Sequence, residues 1–397
     1  MLEADVAVVG AGAAGLSLAH RLADTTPGTR PPSTVLLDAP PGPLRPPPRT
    51  WCFWESGPGR FDAALTASWR HLRVRRPSGA AIDGDIAPLR YKMIRSEDFE
   101  HLVAHDLAAH PAVRRLEATV ETVEDVPGGA LVRLRDGDGR PQVLRARWVF
   151  DSRPLGSLPA ARTTLLQHFH GWFVRTARPA FDPRTAELMD FRVPQPADGL
   201  SFGYVLPVGR HQALVEYTEF SHRPLSASGY EAAVRHYADE VLRLGELRVL
   251  STETGVIPMT DAPMPRQVGE SVFRIGAAGG ATRPSTGYTF AGIQRQTRAV
   301  AAALRQGRRP VPPPAHPARS RAMDAVLLRA LDSGRADGPA LLCRLFAHVP
   351  MRRLLLFLDG RTRLHQDLAI GLRTPVGPML RSALELPGLP RRPFDTP

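Results

Sequence analysis

The residues from Asp5 to Asp38 restrict the fold more than any other stretch of the chain. Asp5-Val6-Ala7-Val8-Val9 is a short valine-rich run of the buried parallel-strand type. A glycine turn follows, Gly10-Ala11-Gly12-Ala13-Ala14-Gly15, and Leu16 to Asp24 then shows the apolar spacing of a helix. Val35-Leu36-Leu37 is a second apolar run, and it ends on Asp38. Strand, glycine turn, helix, strand and acidic residue is the order of a dinucleotide-binding βαβ unit. Gly10 permits the tight turn, Gly12 admits a pyrophosphate close to the backbone, and Gly15 lets the helix pack closely on the sheet. Free N–H groups at the helix start attract phosphate, and Asp38 is placed to accept hydrogen bonds from the adenosine ribose.

The rest of the chain divides around this unit. Six prolines between Pro40 and Pro48 predict a loop through to Glu55, with the rings of Trp51, Phe53 and Trp54 at its end. Those rings either anchor the loop to the core or line an apolar pocket, and the second reading is preferred. Ile94 to His110 reads as a helix with Phe99, Leu102, Val103 and Leu107 on one face. Strands are predicted around Glu117–Val123, Ala130–Arg135 and Trp148–Asp151. Residues 160–260 read as an antiparallel sheet interrupted by one helix over Ser228–Leu244. A strand, a glycine-rich turn (Gly276 to Gly280) and a long helix then return to the first domain. The expected fold is α/β. A Rossmann-like dinucleotide-binding domain (1–159 and 261–310) carries an inserted antiparallel substrate domain (160–260) and a helical C-terminal region (311–397), with 60–90 assignable to either side.

Composition narrows the class. With 43% hydrophobic and 23% charged residues over 397 positions, the chain is not mainly disordered. Two cysteines make no disulfide framework and fit a reducing compartment. No basic leader and no apolar run of about 20 residues is present, so neither secretion nor membrane spanning is expected. The net charge of +12 comes from fifty arginines and the single lysine Lys92. It favours an anionic partner. Nucleic acid is disfavoured because the arginines are dispersed and no nucleic-acid signature accompanies them. No HExxH, paired CxxC or GxSxG motif occurs, and no metal site is expected.

A set of motifs in order is more specific. Arg49-Thr50-Trp51-Cys52-Phe53-Trp54 follows the proline-rich loop, then Tyr91-Lys92-Met93-Ile94, Asp151-Ser152-Arg153, and Gln167-His168-Phe169 with Gly171-Trp172. Val215-Glu216-Tyr217-Thr218 with Arg223-Pro224, and Ala281-Thr282-Arg283-Pro284-Ser285-Thr286-Gly287-Tyr288, complete it. With the βαβ unit, these motifs resemble the FAD-dependent lycopene cyclases, bacterial and plant enzymes that close β-ionone rings on carotenoids. The resemblance runs from Asp5 to about Gln296 and loosens in the tail. It implies a flavoprotein of the hydroxylase/reductase type that needs reduced FAD, with NAD(P)H as electron source, for a ring closure that is itself redox-neutral. It also implies that Gly10, Gly12, Gly15, Asp38, Arg49, Gly279, Gly287 and Tyr288 hold the cofactor. The required glutamate of the family corresponds to Glu216. The second glutamate of that motif is Tyr217 here, and the Gly-Asp turn of related hydroxylases is replaced by Gly276-Ala277-Ala278-Gly279-Gly280.

The chemistry follows from these residues. Protonating an alkene needs a carboxyl kept neutral by burial, and a dry pocket for the carbocation. Aromatic faces stabilise such a cation. Trp51, Trp54, Trp172 and Tyr288 are the candidate wall. Strand alternation sends Glu219 to the face opposite Glu216. A plain ion pair of Glu216 with Arg223 is the alternative for that side chain, and reduced flavin is the alternative acid. Lycopene or a similar polyene is the expected substrate, and the expected location is cytoplasmic, peripheral to the inner membrane face; Met351–Arg363 is the candidate docking element, with a buried core helix of the tail the equal alternative. Rival readings are a cyclase of another polyprenyl chain, a flavin monooxygenase or reductase, and a binding protein without activity.

Overall fold

A computed structural model of the chain describes residues 1–24 and 30–394. The opening unit is β1 (Leu2–Val9), α1 (Ala13–Leu22) and β2 (Thr34–Asp38). Five short strands follow: β3 (Thr50–Ser56), β4 (Leu65–Trp69), β5 (His71–Arg75), β6 (Ala81–Asp85) and β7 (Leu89–Arg95). Then come α2 (Ser96–Ala108), β8 (Val113–Val126), β9 (Gly129–Asp136) and β10 (Pro141–Asp151). The middle of the chain holds β11 (Thr164–Thr176), β12 (Thr185–Asp190), β13 (Leu200–Pro207), β14 (Gln212–Ser221), α3 (Ala227–His236) and β15 (Leu247–Thr260). β16 (Val272–Arg274) leads to α4 (Phe290–Arg305), α5 (Ala318–Asp332) and α6 (Gly338–His348). The chain closes with α7 (Met351–Leu358), α8 (Leu364–Gly371) and α9 (Val376–Glu385).

The first sheet is parallel at its centre, where β1 lies between β2 and β10, with β8 beyond β2 and β16 beyond β10. β8 and β10 are long enough to serve two layers. Their other ends pair antiparallel with β9, which lies over the parallel layer. The period of two along β1 decides what it touches. Val6 and Val8 pack with α1, α2 and α4, whereas Ala7 and Val9 meet Val132, Leu134 and Val149 on the β9 side.

The second sheet has the order β15-β11-β14-β13-β12-β5-β6 and is antiparallel except where β12 runs parallel to β5. Residues 71–85 thus belong to the second sheet. Alternate residues of β14 again choose the layer. Ala213, Val215 and Tyr217 pack under α3, and Leu214 and Phe220 join the opposite core with α6 and α7. A third, three-stranded sheet, β3-β7-β4, bridges the two.

Two expectations change. Residues 50–56 form a strand rather than a loop, because β7 supplies a complete antiparallel ladder from Arg95 to Leu89. The helix expected over 228–244 leaves α-helical geometry at His236 and finishes in a wider, π-helical turn over Tyr237–Val241.

Candidate active site

The glycine turn sits where β1 ends and α1 begins. Gly10 has φ +93°, open to glycine at little cost, and Gly12 is the helix N-cap with no side-chain cap. A Cβ added at Gly12 would meet nothing within 4 Å, while one at Gly15 would strike the carbonyl oxygen of Gly10. Gly12 therefore faces open space, and Gly15 sets how closely α1 approaches the turn. Asp38 at the end of β2 is buried, held by Arg115, with Arg45 at 3.7 Å. Gly10, Gly12, Asp38 and Arg49 line one continuous cavity of about 1670 Å³, together with Gly276 to Ala278 of the second glycine turn.

Further along the same cavity are Thr286, Gly287 and Tyr288. Their turn is tied down by a buried ion pair, Arg283 to Asp324 of α5 at 2.8 Å, and by the Ser285 hydroxyl donating to Asp324 at 2.7 Å. A Cβ at Gly287, which has φ +71°, would press on Oε1 of Gln167. Gln167 Oε1 and Thr286 Oγ1 are both buried on this wall without a hydrogen-bond partner among the described residues. Gly279 is displaced from the role expected of it. It does not line the cavity; a Cβ there would collide with the Arg274 carbonyl, so its smallness serves backbone packing. Gly15 likewise lies behind the wall.

Glu216 projects from β14 into the cavity, 7% exposed. Among the described residues its one hydrogen bond comes from the Thr218 hydroxyl at 2.8 Å. No arginine pairs with it among the described residues. Arg223 offers its backbone carbonyl to Ser221. Burial, and then the charge of Glu253, push the Glu216 carboxyl up to about 8. Glu219 points to the other face, where it accepts from the Tyr217 hydroxyl at 2.9 Å and lies 3.6 Å from His168.

Around Glu216 the hydroxyls of Tyr91, Tyr204 and Tyr288 form a chain: Tyr91 bonds to Tyr204 and, at 2.8 Å, to Tyr288. Cys52 adjoins them, its thiol pushed up to about 12 by burial. Burial raises all three phenols as well, so the cluster is uncharged at neutral pH. The predicted aromatic wall is revised. Trp51 lines the cavity, edge-on to Phe99 and stacked with Phe290. Trp54 stands one layer back, edge-on to Tyr288 at 4.8 Å, with its Nε1–H donating to Leu355 O at 3.0 Å. Trp172 is on the wrong face. It pairs in register with Val215, so the pleat turns it under α3, where Arg235 covers its ring at 5.2 Å.

Beyond Glu216 the cavity runs under α5 to α9, lined by side chains such as Leu327, Leu345, Phe346, Phe357, Leu368 and Leu380. Leu364 and Leu368 of α8, its C-cap Leu372, and Val376, Leu380 and Leu384 of α9 recur every fourth residue, each at least half exposed. Of the two readings of Met351–Arg363, the structure has the core helix: Met351, Leu354 and Leu355 of α7 are buried against the second sheet. Among the described residues no helix is long and apolar enough to cross a membrane.

Glu253 and Tyr204 escaped the sequence reading, and the Gln167–Thr286 pair was visible in its motifs without an assigned role. Tyr204 faces Glu216 in register across the β13–β14 hairpin, whereas Glu253 reaches it only because β14 and β15 flank β11. Tyr91 was visible in its motif without an assigned role.

The family described as Lycopene cyclase protein matches residues 5–384. No curated protein matches the sequence. Among solved structures, the chain is similar to a geranylgeranyl bacteriochlorophyll reductase-like protein of Thermoplasma acidophilum. That structure is 14% identical, with TM-score 0.64 over 97% of this chain and 100% of the other. A flavoprotein/dehydrogenase of Cytophaga hutchinsonii is 14% identical with TM-score 0.62, covering 96% and 99%. The flavin-dependent monooxygenase PieE, solved with FAD and substrate, is 14% identical with TM-score 0.58, covering 98% and 72%. At such identities these likenesses establish the fold, which is that of the flavoprotein hydroxylases and reductases.

Proposed function

The chain belongs to the lycopene cyclase protein family, and from that premise we propose that it closes the linear ends of lycopene into β-rings by proton delivery from Glu216. The observation that carries this reading is a neutral, buried carboxyl on the wall of an apolar cavity that also reaches the dinucleotide cradle. The volume exceeds the ~300–1,000 Å³ usual for one small ligand, which suits a dinucleotide and a long polyene side by side.

The residues fit FAD. Gly10, Gly12 and the start of α1 would take the pyrophosphate, Asp38 the ribose, and the second glycine turn with Arg49, Gly287 and Tyr288 the remainder. The unpartnered Gln167 Oε1 and Thr286 Oγ1 suit a polar ligand there. Bound in its reduced form, with NAD(P)H as electron source, FAD would supply negative charge near a developing carbocation.

The chain's own residues do the proton work. Glu216 gives its proton to the terminal alkene, and the cation closes the ring and loses a proton from the adjacent carbon, so no electrons are exchanged. Tyr288, in the hydroxyl cluster beside Glu216, offers an aromatic face to the cation, and burial of Glu216 keeps water from its proton.

The leucine stripe on α8 and α9 supports docking on an anionic bilayer at the inner membrane face. Arg361, Arg363, Arg373 and Arg381 flank it, and four of its leucines (Leu364, Leu368, Leu372 and Leu380) also line the cavity, so an apolar substrate passes from lipid to cavity without crossing water.

The test is expression in a lycopene-producing bacterium with chromatography of the pigments. Wild type yields cyclic carotenoid. Glu216→Gln, isosteric and unable to act as an acid, retains flavin and fold while turnover falls by about 10²–10⁴-fold. Near-normal turnover in that variant would remove Glu216 from the donor role, and NAD(P)H-coupled oxygen uptake without ring product would favour a monooxygenase.

A further inference from the structure

Glu253 on β15 is a second buried carboxyl on the cavity wall, 9% exposed. Gly171 of β11 pairs with Glu216 on one side and with Glu253 on the other. The two glutamates thus leave the same face of the sheet from strands about 10 Å apart, two strand spacings. The residue between them has no side chain. A Cβ at Gly171 would lie 3.4 Å from Glu216 Oε2 and press on Leu214, so the gap over β11 is left for the two carboxyls to converge.

Their partners differ. Burial pushes the Glu253 carboxyl up as well, but the Thr50 hydroxyl, donating to it at 2.7 Å, and the guanidinium groups of Arg95 and Arg49 oppose that and favour its charged form. Glu216 has the Thr218 hydroxyl alone. The other titratable groups around Glu216 are Cys52 of β3, Tyr91 of β7, Tyr204 of β13 and Tyr288, all neutral at physiological pH. Two carboxylates in one water-poor site do not both ionise.

We propose that Glu253 is a positioning residue for Glu216: the pair holds one proton, Glu253 carries the negative charge beside Thr50 and the arginines, and that charge keeps the proton on Glu216. After Glu216 has given its proton to substrate, the proton released on ring closure restores the same state, and the balance is closed. The proton's destination rests on the cyclase reading; the sharing of one proton does not.

The experiment is infrared difference spectroscopy of the full chain against pH, following the protonated-carboxyl band that Glu216→Gln removes. In Glu253→Gln the repelling charge is gone, so Glu216 ionises more readily and the band's midpoint falls by about one pH unit or more. The alkaline limb of the cyclisation rate moves to lower pH by the same amount. Thr50→Val keeps both carboxyls and moves part of the proton to Glu253, which weakens the band at neutral pH. This second variant serves if Glu253→Gln fails to fold. A band whose midpoint stays in place or rises in Glu253→Gln, or whose strength is unchanged in Thr50→Val, overturns the proposal. A shifted band in a protein that leaves lycopene unconverted upholds the pair and sinks the cyclase reading.

Discussion

Glu216 and Glu219 stand three residues apart on one strand, and the pleat gives them different chemistry. Glu219 finds Tyr217 and His168 under α3, whereas Glu216 meets a cavity and one hydroxyl. That contrast has a thermodynamic consequence. In the folded chain Glu216 keeps its proton up to about pH 8, against the ordinary glutamate value of about 4.5. Between those values the folded state binds the extra proton, so stability is fullest below the lower value and falls as pH rises through the window. The urea midpoint of wild type is expected to drop between about pH 5 and about pH 8. The drop is smaller in Glu216→Gln, and equal drops would contradict a neutral Glu216. The aromatic residues show the limit of reading single positions. Trp51, Trp54 and Trp172 have the same composition signal, yet one lines the cavity, one backs Tyr288 and one faces away.

Elements are where local pattern is most informative. The βαβ unit was legible because each of its residues answers a local requirement: alternation in β1, a turn at Gly10, and close approach at Gly15. The structure separates two glycines that sequence treats alike. Gly15→Ala forces α1 off the turn and lowers thermal stability by about 1–3 kcal/mol. Gly12→Ala meets only open space and leaves the melting temperature of the flavin-free protein nearly unchanged, but it narrows the cradle and weakens flavin retention. Melting curves and flavin absorbance distinguish the two, and equal destabilisation by both would refute the distinction. Residues 50–56 were misread because a preceding proline run says nothing about a partner strand. β7 is thirty-odd residues away in sequence, and its ladder decides the matter.

At the scale of the whole molecule, the tail helices close the cavity and carry an exposed apolar stripe. Burying each exposed leucine in lipid is worth about 1.5–3 kcal/mol at full burial, and the flanking arginines add attraction to anionic headgroups. Leu368→Glu with Leu380→Glu is expected to cut vesicle binding at least about 10-fold in flotation with anionic liposomes, with far-UV dichroism unchanged. Unaltered flotation would show that the stripe is not the docking surface. In sequence, Met351–Arg363 reads equally as a docking element or as a core helix, and the packing of Trp54 and β6 against it decides for the core.

What the amino-acid order determined by itself was everything set within a few residues: the strand–turn–helix start, the identity of Glu216 as an acid flanked by apolar neighbours, and its opposition to Glu219. Tertiary structure decided which side of each sheet meets the cavity and which buried groups become neighbours there. Strand pairing brings Glu253 to Glu216 across Gly171, and helix packing chooses which leucines stay outside. Both are long-range outcomes of burying one face of every element, and no local pattern records which face another element will cover.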